Sequence, residues 1–196
     1  SVTNTFTCIR KSTNQKCIRY FSEMTNDFCD LISLFINNPH PSIVPFVGYV
    51  LNLNNSFSLF EIVNNKYSYI TLNDSLRKGH DYSKDNNTNG LILAYGIACG
   101  IEYLEKNEVY FSSIFSRNVL LDDDLHPLIF PFEPYFNSYN IVSKIDYHPP
   151  EYDYNPPEDD ISPKSPVYFY GALLYEISNG CFDLFDEFSN FEFNCF

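Results

Sequence analysis

The chain has 196 residues, of which 44% are hydrophobic, so it can bury one sizeable core and is expected to fold as one unit. Twelve Lys and Arg against 25 Asp and Glu give a net charge of −13, which makes nucleic acid and anionic membrane poor partners. The six cysteines show neither a CxxC pair nor zinc-site spacing, and neither a charged leader nor a long apolar run is visible, so we expect a reducing, cytoplasmic location.

The first part of the chain predicts a small lobe of strands with one helix. Two runs rich in β-branched and aromatic residues, Thr5 to Arg10 and Lys16 to Phe21, flank a polar turn and predict a hairpin. Apolar residues at helical spacing predict a short amphipathic helix from Asp27 to Ile36. Two further strands are predicted at Ile43 to Leu53 and Phe57 to Val63, and after them the composition turns polar.

The second part predicts a mainly helical lobe. Apolar residues from Leu91 to Leu104 share one helical face and predict a central helix. Short strands at Val119 to Leu121 and Leu128 to Phe130 bracket an acidic turn, which we expect to face water. A buried helix is predicted from Val167 to Ser178, closed by Gly180 as a C-cap. The last residues alternate acids and Phe without a clear period and are not assigned.

Four segments of the chain resemble motifs of eukaryotic protein kinases, of tyrosine-kinase-like type. They stand in the order and at the spacing of that family, beginning at Asn38, Ile97, Ser116 and Val167: NPHPSIV, IACGIEYL, SRNVLLD and VYFYGALLYEI. The resemblance implies an α+β, bilobal protein-kinase-like fold with a small β-rich N-lobe, which carries one helix, and a shortened, mainly helical C-lobe. It also implies a nucleotide cleft between the two lobes.

The resemblance divides one kinase-like domain, residues 1–196, into an N-lobe at 1–63, a hinge and polar linker at 64–90 and a truncated C-lobe at 91–196. Ser1 to Thr5 contain no glycine, although the loop over the nucleotide phosphates needs glycines for close backbone approach. We therefore expect this Gly-rich loop to be absent. The alternative is that the chain is a fragment whose first strand has been removed.

Four positions correspond to the nucleotide cleft of the family. Arg19 stands where the family has a phosphate-binding lysine, and Asp30 is the candidate acid that would pair with it; the alternative is a surface Arg and a surface Asp. Cys17 and Leu120 stand where side chains sandwich adenine. These two also fit a filled cleft, or ordinary core positions.

The catalytic loop departs furthest from the family. Its His-Arg-Asp-Leu-Lys-x-x-Asn motif corresponds to residues 111–118, with Phe111 at the His, Ser113 at the catalytic base and Phe115 at the lysine. A serine hydroxyl cannot take the substrate proton at neutral pH as a carboxylate can. Asn118 alone is kept. It is a weak candidate for a magnesium ligand, and a loop-stabilising amide is the stronger interpretation.

The metal-binding triplet Asp-Phe-Gly corresponds to Pro131, Phe132 and Glu133, so the carboxylate ligand is replaced by a proline. Phe132 would join Leu34 and Phe111 in an apolar column that links the two lobes, which suggests kept packing without the chemistry. Pro166 stands at the start of the last predicted helix, where the family has a buried Asp that binds the catalytic loop.

The sequence therefore predicts a catalytically impaired kinase-like domain, a pseudokinase, that acts through protein partners as an interaction or allosteric signalling module. ATP and magnesium are weak expectations as cofactors. Two alternatives stay open: an active protein kinase in which Glu133 or the acids of residues 122–124 recruit the metal, and a non-functional kinase fragment.

Overall fold

The computed structural model describes residues 5–10, 15–23, 26–51, 56–63, 70–82, 88–109, 114–130 and 165–180. Within these ranges it contains strands and helices in a mixed α+β arrangement. The strands form a four-stranded sheet near the N-terminus and a three-stranded sheet in the second half.

The first sheet contains the predicted hairpin. Strands β1 (Thr5–Arg10) and β2 (Gln15–Glu23) pair antiparallel, and β4 (Ser56–Val63) pairs with β2 on its other side. Strand β3 (Phe46–Leu51) pairs with β4, so the order is β1-β2-β4-β3 and β1 lies at an edge. Helix α1 (Asn26–Asn37) connects β2 to β3, as the apolar spacing predicted.

The second half is built around two long helices. Helix α3 (Thr88–Lys106) and helix α4 (Ser165–Asn179) extend the predicted helices by a few residues at each end. Gly180 has a φ of +60° directly after α4, the left-handed conformation that favours glycine at a helix C-terminus. Among the helices that the structure describes, none is long and apolar enough to cross a membrane.

The three-stranded sheet lies beside α3. Strands β6 (Val119–Leu121) and β7 (Pro127–Ile129) pair antiparallel, and the two-residue strand β5 (Ile70–Thr71) pairs with β6. Both β6 and β7 are buried along their whole length. The predicted strand at residues 128–130 is shifted by one residue.

Residues 70–82 contain ordered structure that the polar composition of the predicted linker did not indicate. Helix α2 (Leu72–Arg77) follows β5 directly, and the Asp74 backbone N–H donates to Thr71 Oγ1 at 3.0 Å as an N-cap. Leu72 and Leu76, one turn apart, are buried, and so is Tyr82. Two apolar residues at this spacing are too weak a signal to predict a helix of six residues.

The connection after α1 adds to the three-stranded sheet. The Val44 backbone N–H donates to the Ile129 carbonyl at 3.0 Å, and the Ile129 N–H donates to the Ser42 carbonyl at 2.8 Å. Gly100 of α3 faces this contact, since a Cβ there would lie 2.7 Å from Ile129 Cδ1 and 3.2 Å from the Ser42 carbonyl oxygen. A glycine in α3 thus lets the helix approach the strand and the connection together.

His40, in the same connection, contacts α3 through its ring. Its ring stacks on Tyr103 with centroids 4.7 Å apart, and its Nδ1 accepts a hydrogen bond from the Ser42 backbone N–H at 3.2 Å. The Tyr103 hydroxyl donates to the carbonyl of Asn38. These contacts join the end of α1 to the helical half of the chain.

Candidate functional site

Five of the site residues predicted from the sequence lie outside the described residues. They are Phe111 and Ser113 in the catalytic loop and Pro131, Phe132 and Glu133 in the metal-binding triplet. The roles assigned to these positions rest on the resemblance and stay predictions. The structure describes the rest of the catalytic loop, from Ile114 onward.

A turn from Phe115 to Asn118 carries the two described residues of the catalytic loop that matter most. Residues Ser116–Asn118 form one turn of 3₁₀ helix. The Asn118 N–H donates to the Phe115 carbonyl at 2.8 Å, and the Phe115 N–H donates back to Asn118 Oδ1 at 3.2 Å. The side-chain amide of Asn118 therefore closes its own turn, and at 5% exposure it is held in the interior.

The Asn118 amide oxygen is the atom that a metal would need. An amide oxygen has two lone pairs, and the Phe115 N–H occupies one of them. The Asn118 backbone carbonyl is also used, because it accepts a 2.7 Å hydrogen bond from the Phe130 N–H. This geometry supports the loop-stabilising role for Asn118, whereas magnesium binding by this residue stays a prediction.

Phe115, at the position of the family's lysine, is buried and points to the helical core. Its ring meets Phe169 of α4 edge-on, with centroids 5.5 Å apart. Pro166 lies in the first turn of the same helix, so the proline predicted at a helix start is found there. The described part of the loop is thus attached to α4 by an aromatic contact, and Phe115 adds no positive charge to a phosphate site.

Asn73 of α2 contacts the same turn, and no pattern in the sequence indicates this contact. Its Nδ2 donates to Ser116 Oγ at 3.4 Å, and both side chains are buried. An asparagine in a polar segment is usually solvated, so its burial depends on the tertiary position of α2. The catalytic-loop turn is therefore held from α2 by a polar contact and from α4 by an aromatic one.

The two predicted adenine-facing residues are both enclosed. Cys17 on β2 is 0% exposed and Leu120 on β6 is 8% exposed. Leu120 pairs with Thr71 of β5 and Leu128 of β7 in the second sheet. A side chain that stacks on a nucleotide base must present a face to it, so both exposures support the filled cleft or core interpretation made for these two residues.

Arg19 and Asp30 stay an untested pair. Arg19 lies in β2 opposite Phe6 of β1 and Phe60 of β4. Asp30 lies in α1 with an exposed side chain, which fits the surface alternative for this residue. The side chain of Arg19 is outside what the structure describes, so their ion pair remains a prediction.

The acidic turn after β6 is organised by one of its own carboxylates. Asp122 Oδ1 accepts from the backbone N–H groups of Asp124 at 3.0 Å and His126 at 2.8 Å, and Asp122 Oδ2 lies 3.2 Å from His126 Nδ1. Asp123 and Asp124 are exposed. Over the described ranges, no three His, Cys, Asp or Glu residues gather as a possible metal site.

Burial shifts the pKa of two further groups, His40 in the connection after α1 and Tyr82 after α2. Burial lowers the pKa of His40 below its usual value, although the negative charge of Glu102 partly opposes the shift. Burial raises the pKa of the Tyr82 hydroxyl, and a hydrogen bond with Ser75 works in the opposite direction. Both shifts favour the neutral form of the ring.

The sequence matches the family described as "Protein tyrosine and serine/threonine kinase" over residues 8–195. This match confirms the predicted α+β, bilobal kinase fold and the assignment of the motifs to the protein kinase superfamily. It covers all the described helices and strands except the first three residues of β1.

Several plant proteins are similar to the chain. A protein of Arabidopsis thaliana named cysteine-rich receptor-like protein kinase 24 is 29% identical over 79% of this chain and 25% of its own length. The G-type lectin S-receptor-like serine/threonine-protein kinase SD1-29 is 28% identical over 80% of the chain and 20% of its own length. Probable protein kinase At2g41970 is 27% identical over 81% and 46%. The chain thus spans less than half the length of these relatives.

Proposed function

Because this chain belongs to the protein tyrosine and serine/threonine kinase family, we propose that it is a catalytically impaired member that acts as a protein-interaction or allosteric signalling module. The observation that carries the proposal is the state of the catalytic-loop turn. Phe115 lies buried against Phe169, and Asn118 caps its own turn. In the described part of this loop, the position of the family's lysine is a buried ring and the Asn118 amide oxygen is already hydrogen-bonded.

Phosphoryl transfer depends on positioning and on neutralising charge, so each lost charged group removes a defined part of the reaction. Ser113 replaces the carboxylate that would accept the substrate proton, and Pro131 replaces the carboxylate that would bind magnesium. Phe115 replaces the lysine that would steady the transferring phosphoryl group. Each of the three changes lowers the transition-state stabilisation available, and together they leave Asn118 as the remaining family ligand.

The enclosed cleft residues support the same proposal. Cys17 and Leu120 would have to uncover a face before a purine could stack between them. Such an opening would cost the apolar contacts that now cover both side chains. We therefore expect nucleotide binding to be weak or absent.

The proposed role as an interaction module follows from what the chain keeps. The chain keeps the family scaffold. Helix α3 packs on β7, and the His40 ring stacks on Tyr103. The net charge of −13 favours partners with a basic surface, because opposite charge speeds encounter and disfavours acidic competitors. The partner is thus expected to be a protein that presents Lys and Arg.

An active kinase with displaced catalytic groups is the second candidate. The names of the relatives favour it, since all three are called protein kinases. In this case Arg19 would bind phosphate and Glu133 would supply a carboxylate to the metal.

Titration of ATP into the chain by calorimetry, with and without magnesium, separates the two candidates. The proposal predicts no magnesium-dependent heat, because the described loop offers one partly used amide oxygen to the metal. The comparison variant carries Ser113→Asp and Pro131→Asp, which restore the two carboxylates that the family uses and leave the buried Phe115 in place. Magnesium-dependent ATP binding to the unchanged chain, lost on Asn118→Ala, would favour the active kinase.

A further inference from the structure

Two cysteines occupy directly opposite positions in the first sheet. The register of the antiparallel pair β1 and β2 sets Cys8 against Cys17, between the pairs Thr7–Ile18 and Ile9–Lys16. In an antiparallel ladder, directly opposite residues project to the same face of the sheet. The backbone therefore brings two thiol-bearing residues together from two strands.

Opposite positions in such a ladder have the Cα separation that a disulfide requires and a Cβ separation slightly above it. Opposed Cα atoms lie about 4.5 to 5.5 Å apart, inside the range of roughly 4.4 to 6.8 Å found for disulfide-bonded cysteines. Opposed Cβ atoms lie about 4.5 to 5.5 Å apart, against roughly 3.5 to 4.5 Å in disulfides. The strands must therefore draw together slightly, which gives a strained bond that is easily reduced.

The position of β1 provides a route for an oxidant. Cys17, on the inner strand β2, is a thiol and is fully enclosed. Among the strands that the structure describes, β1 lies at the edge of the sheet, next to β2. Edge strands open locally at lower free energy than a whole domain unfolds, so opening of β1 would expose Cys17 to a small oxidant.

We propose that Cys8 and Cys17 form a reversible redox pair, a dithiol that a peroxide converts to a disulfide between β1 and β2. One thiolate attacks the peroxide O–O bond, giving a sulfenic acid and releasing water once the leaving oxygen is protonated. The second thiol attacks the sulfenic sulfur, forming the S–S bond and releasing a second water. A cellular dithiol returns both cysteines to thiols by exchange and is itself oxidised.

The disulfide would act on the strand that carries the candidate nucleotide residues. Cys17 is two residues before Arg19 on β2, and the bond would tie this strand to the edge strand. The bond restricts the unfolded chain and prevents β1 from opening. Oxidation is therefore expected to stabilise the first sheet, independently of whether the domain binds ATP.

Peptide mapping tests the proposal on the full chain. After hydrogen peroxide treatment and blocking of remaining thiols, trypsin should release the peptides Ser1–Arg10 and Cys17–Arg19 joined, two hydrogens lighter than their sum. We expect the joined peptide to dominate in the folded chain and in Cys99→Ser, a control cysteine on α3. It should disappear in Cys8→Ser, and dithiothreitol should reverse it in the unchanged chain.

Thermal unfolding of the unchanged chain provides a second measurement, so this test does not depend on whether a variant folds. The peroxide-treated chain should unfold several degrees above the reduced chain, and dithiothreitol should remove the difference. The proposal is overturned if the folded chain gives no joined peptide, or gives the same mixture of cysteine pairings as the chain oxidised in urea. An unchanged or lowered midpoint after oxidation contradicts it as well.

Discussion

Single residues set how closely α3 approaches the second sheet. A Cβ at Gly96 would lie 2.5 Å from Pro127 Cγ and 2.7 Å from Pro127 Cδ, closer than side chains in folded proteins come. The proline ring is rigid, so it cannot turn away as the end of an aliphatic chain could. Gly171 of α4 is the opposite case, because a Cβ there meets no atom within 4 Å.

These two glycines form a matched pair for a stability measurement. Gly96→Ala is expected to destabilise the chain by about 1 to 3 kcal/mol, because overpacking against Pro127 outweighs the better helix propensity of alanine. Gly171→Ala is expected to stabilise it by about 0.5 to 1 kcal/mol. Urea unfolding of both variants measures the difference. Equal effects of the two substitutions would mean that α3 and β7 are not in this close contact.

Phe115 is the residue at which family chemistry and observed packing conflict most directly. Phe115→Lys restores the residue type of active kinases, but it places an ammonium where the ring meets Phe169. We expect a loss of about 3 kcal/mol or more, since an ammonium at this buried position loses its hydration. Phe115→Leu, the control, should lose about 1 to 2 kcal/mol. A Lys variant as stable as the Leu variant would contradict the buried position of this side chain.

At the scale of elements, the connection between α1 and β3 joins the two halves of the chain. It hydrogen-bonds to β7 through Ser42 and Val44, and it stacks on α3 through His40. His40 Nδ1 must be unprotonated to accept the Ser42 N–H. Glu102 is the described charged group that acts on this ring, and it is itself paired with Lys106.

The lowered pKa of His40 gives this junction a pH dependence. The unfolded chain binds a proton at His40 near the usual pKa of 6.5, whereas the folded chain resists it, so stability falls as the pH drops below that value. The His40→Gln variant keeps an acceptor but does not titrate. Chemical unfolding from about pH 7.5 to 5.5 should therefore show a steeper decline for the unchanged chain than for the variant. Parallel declines, or a steeper one in the variant, would contradict this role.

Some of the helices and strands could be predicted from the sequence, and others could not. Hairpin β1–β2, helix α3 and strand β6 have a clear period or turn signal, so their residues alone indicated them. Helix α2 lacked such a signal, and its buried Asn73 has meaning only through Ser116, which is distant along the chain. The sequence already favoured a loop amide for Asn118, but the partner of that amide, the Phe115 N–H, is visible only in the structure because no motif specifies it.

At the scale of the whole molecule, the chain combines a family scaffold with a changed catalytic loop. The family match over residues 8–195 and the packing around α3 describe the scaffold. The closed turn at Phe115 and Asn118 and the enclosed Cys17 and Leu120 support the proposed loss of catalysis. The proposed interaction role follows from the proposed loss of catalysis, because binding a partner does not require the replaced catalytic groups.

Phosphoryl transfer from labelled ATP, with magnesium or manganese and generic protein substrates, is the most direct test of the central claim. We expect the folded chain to transfer no more label than a buffer blank, and we expect Asn118→Ala and Arg19→Ala to change nothing. Magnesium-dependent transfer clearly above the blank, removed by Asn118→Ala or Arg19→Ala, would contradict it and make this chain an active kinase with displaced catalytic groups.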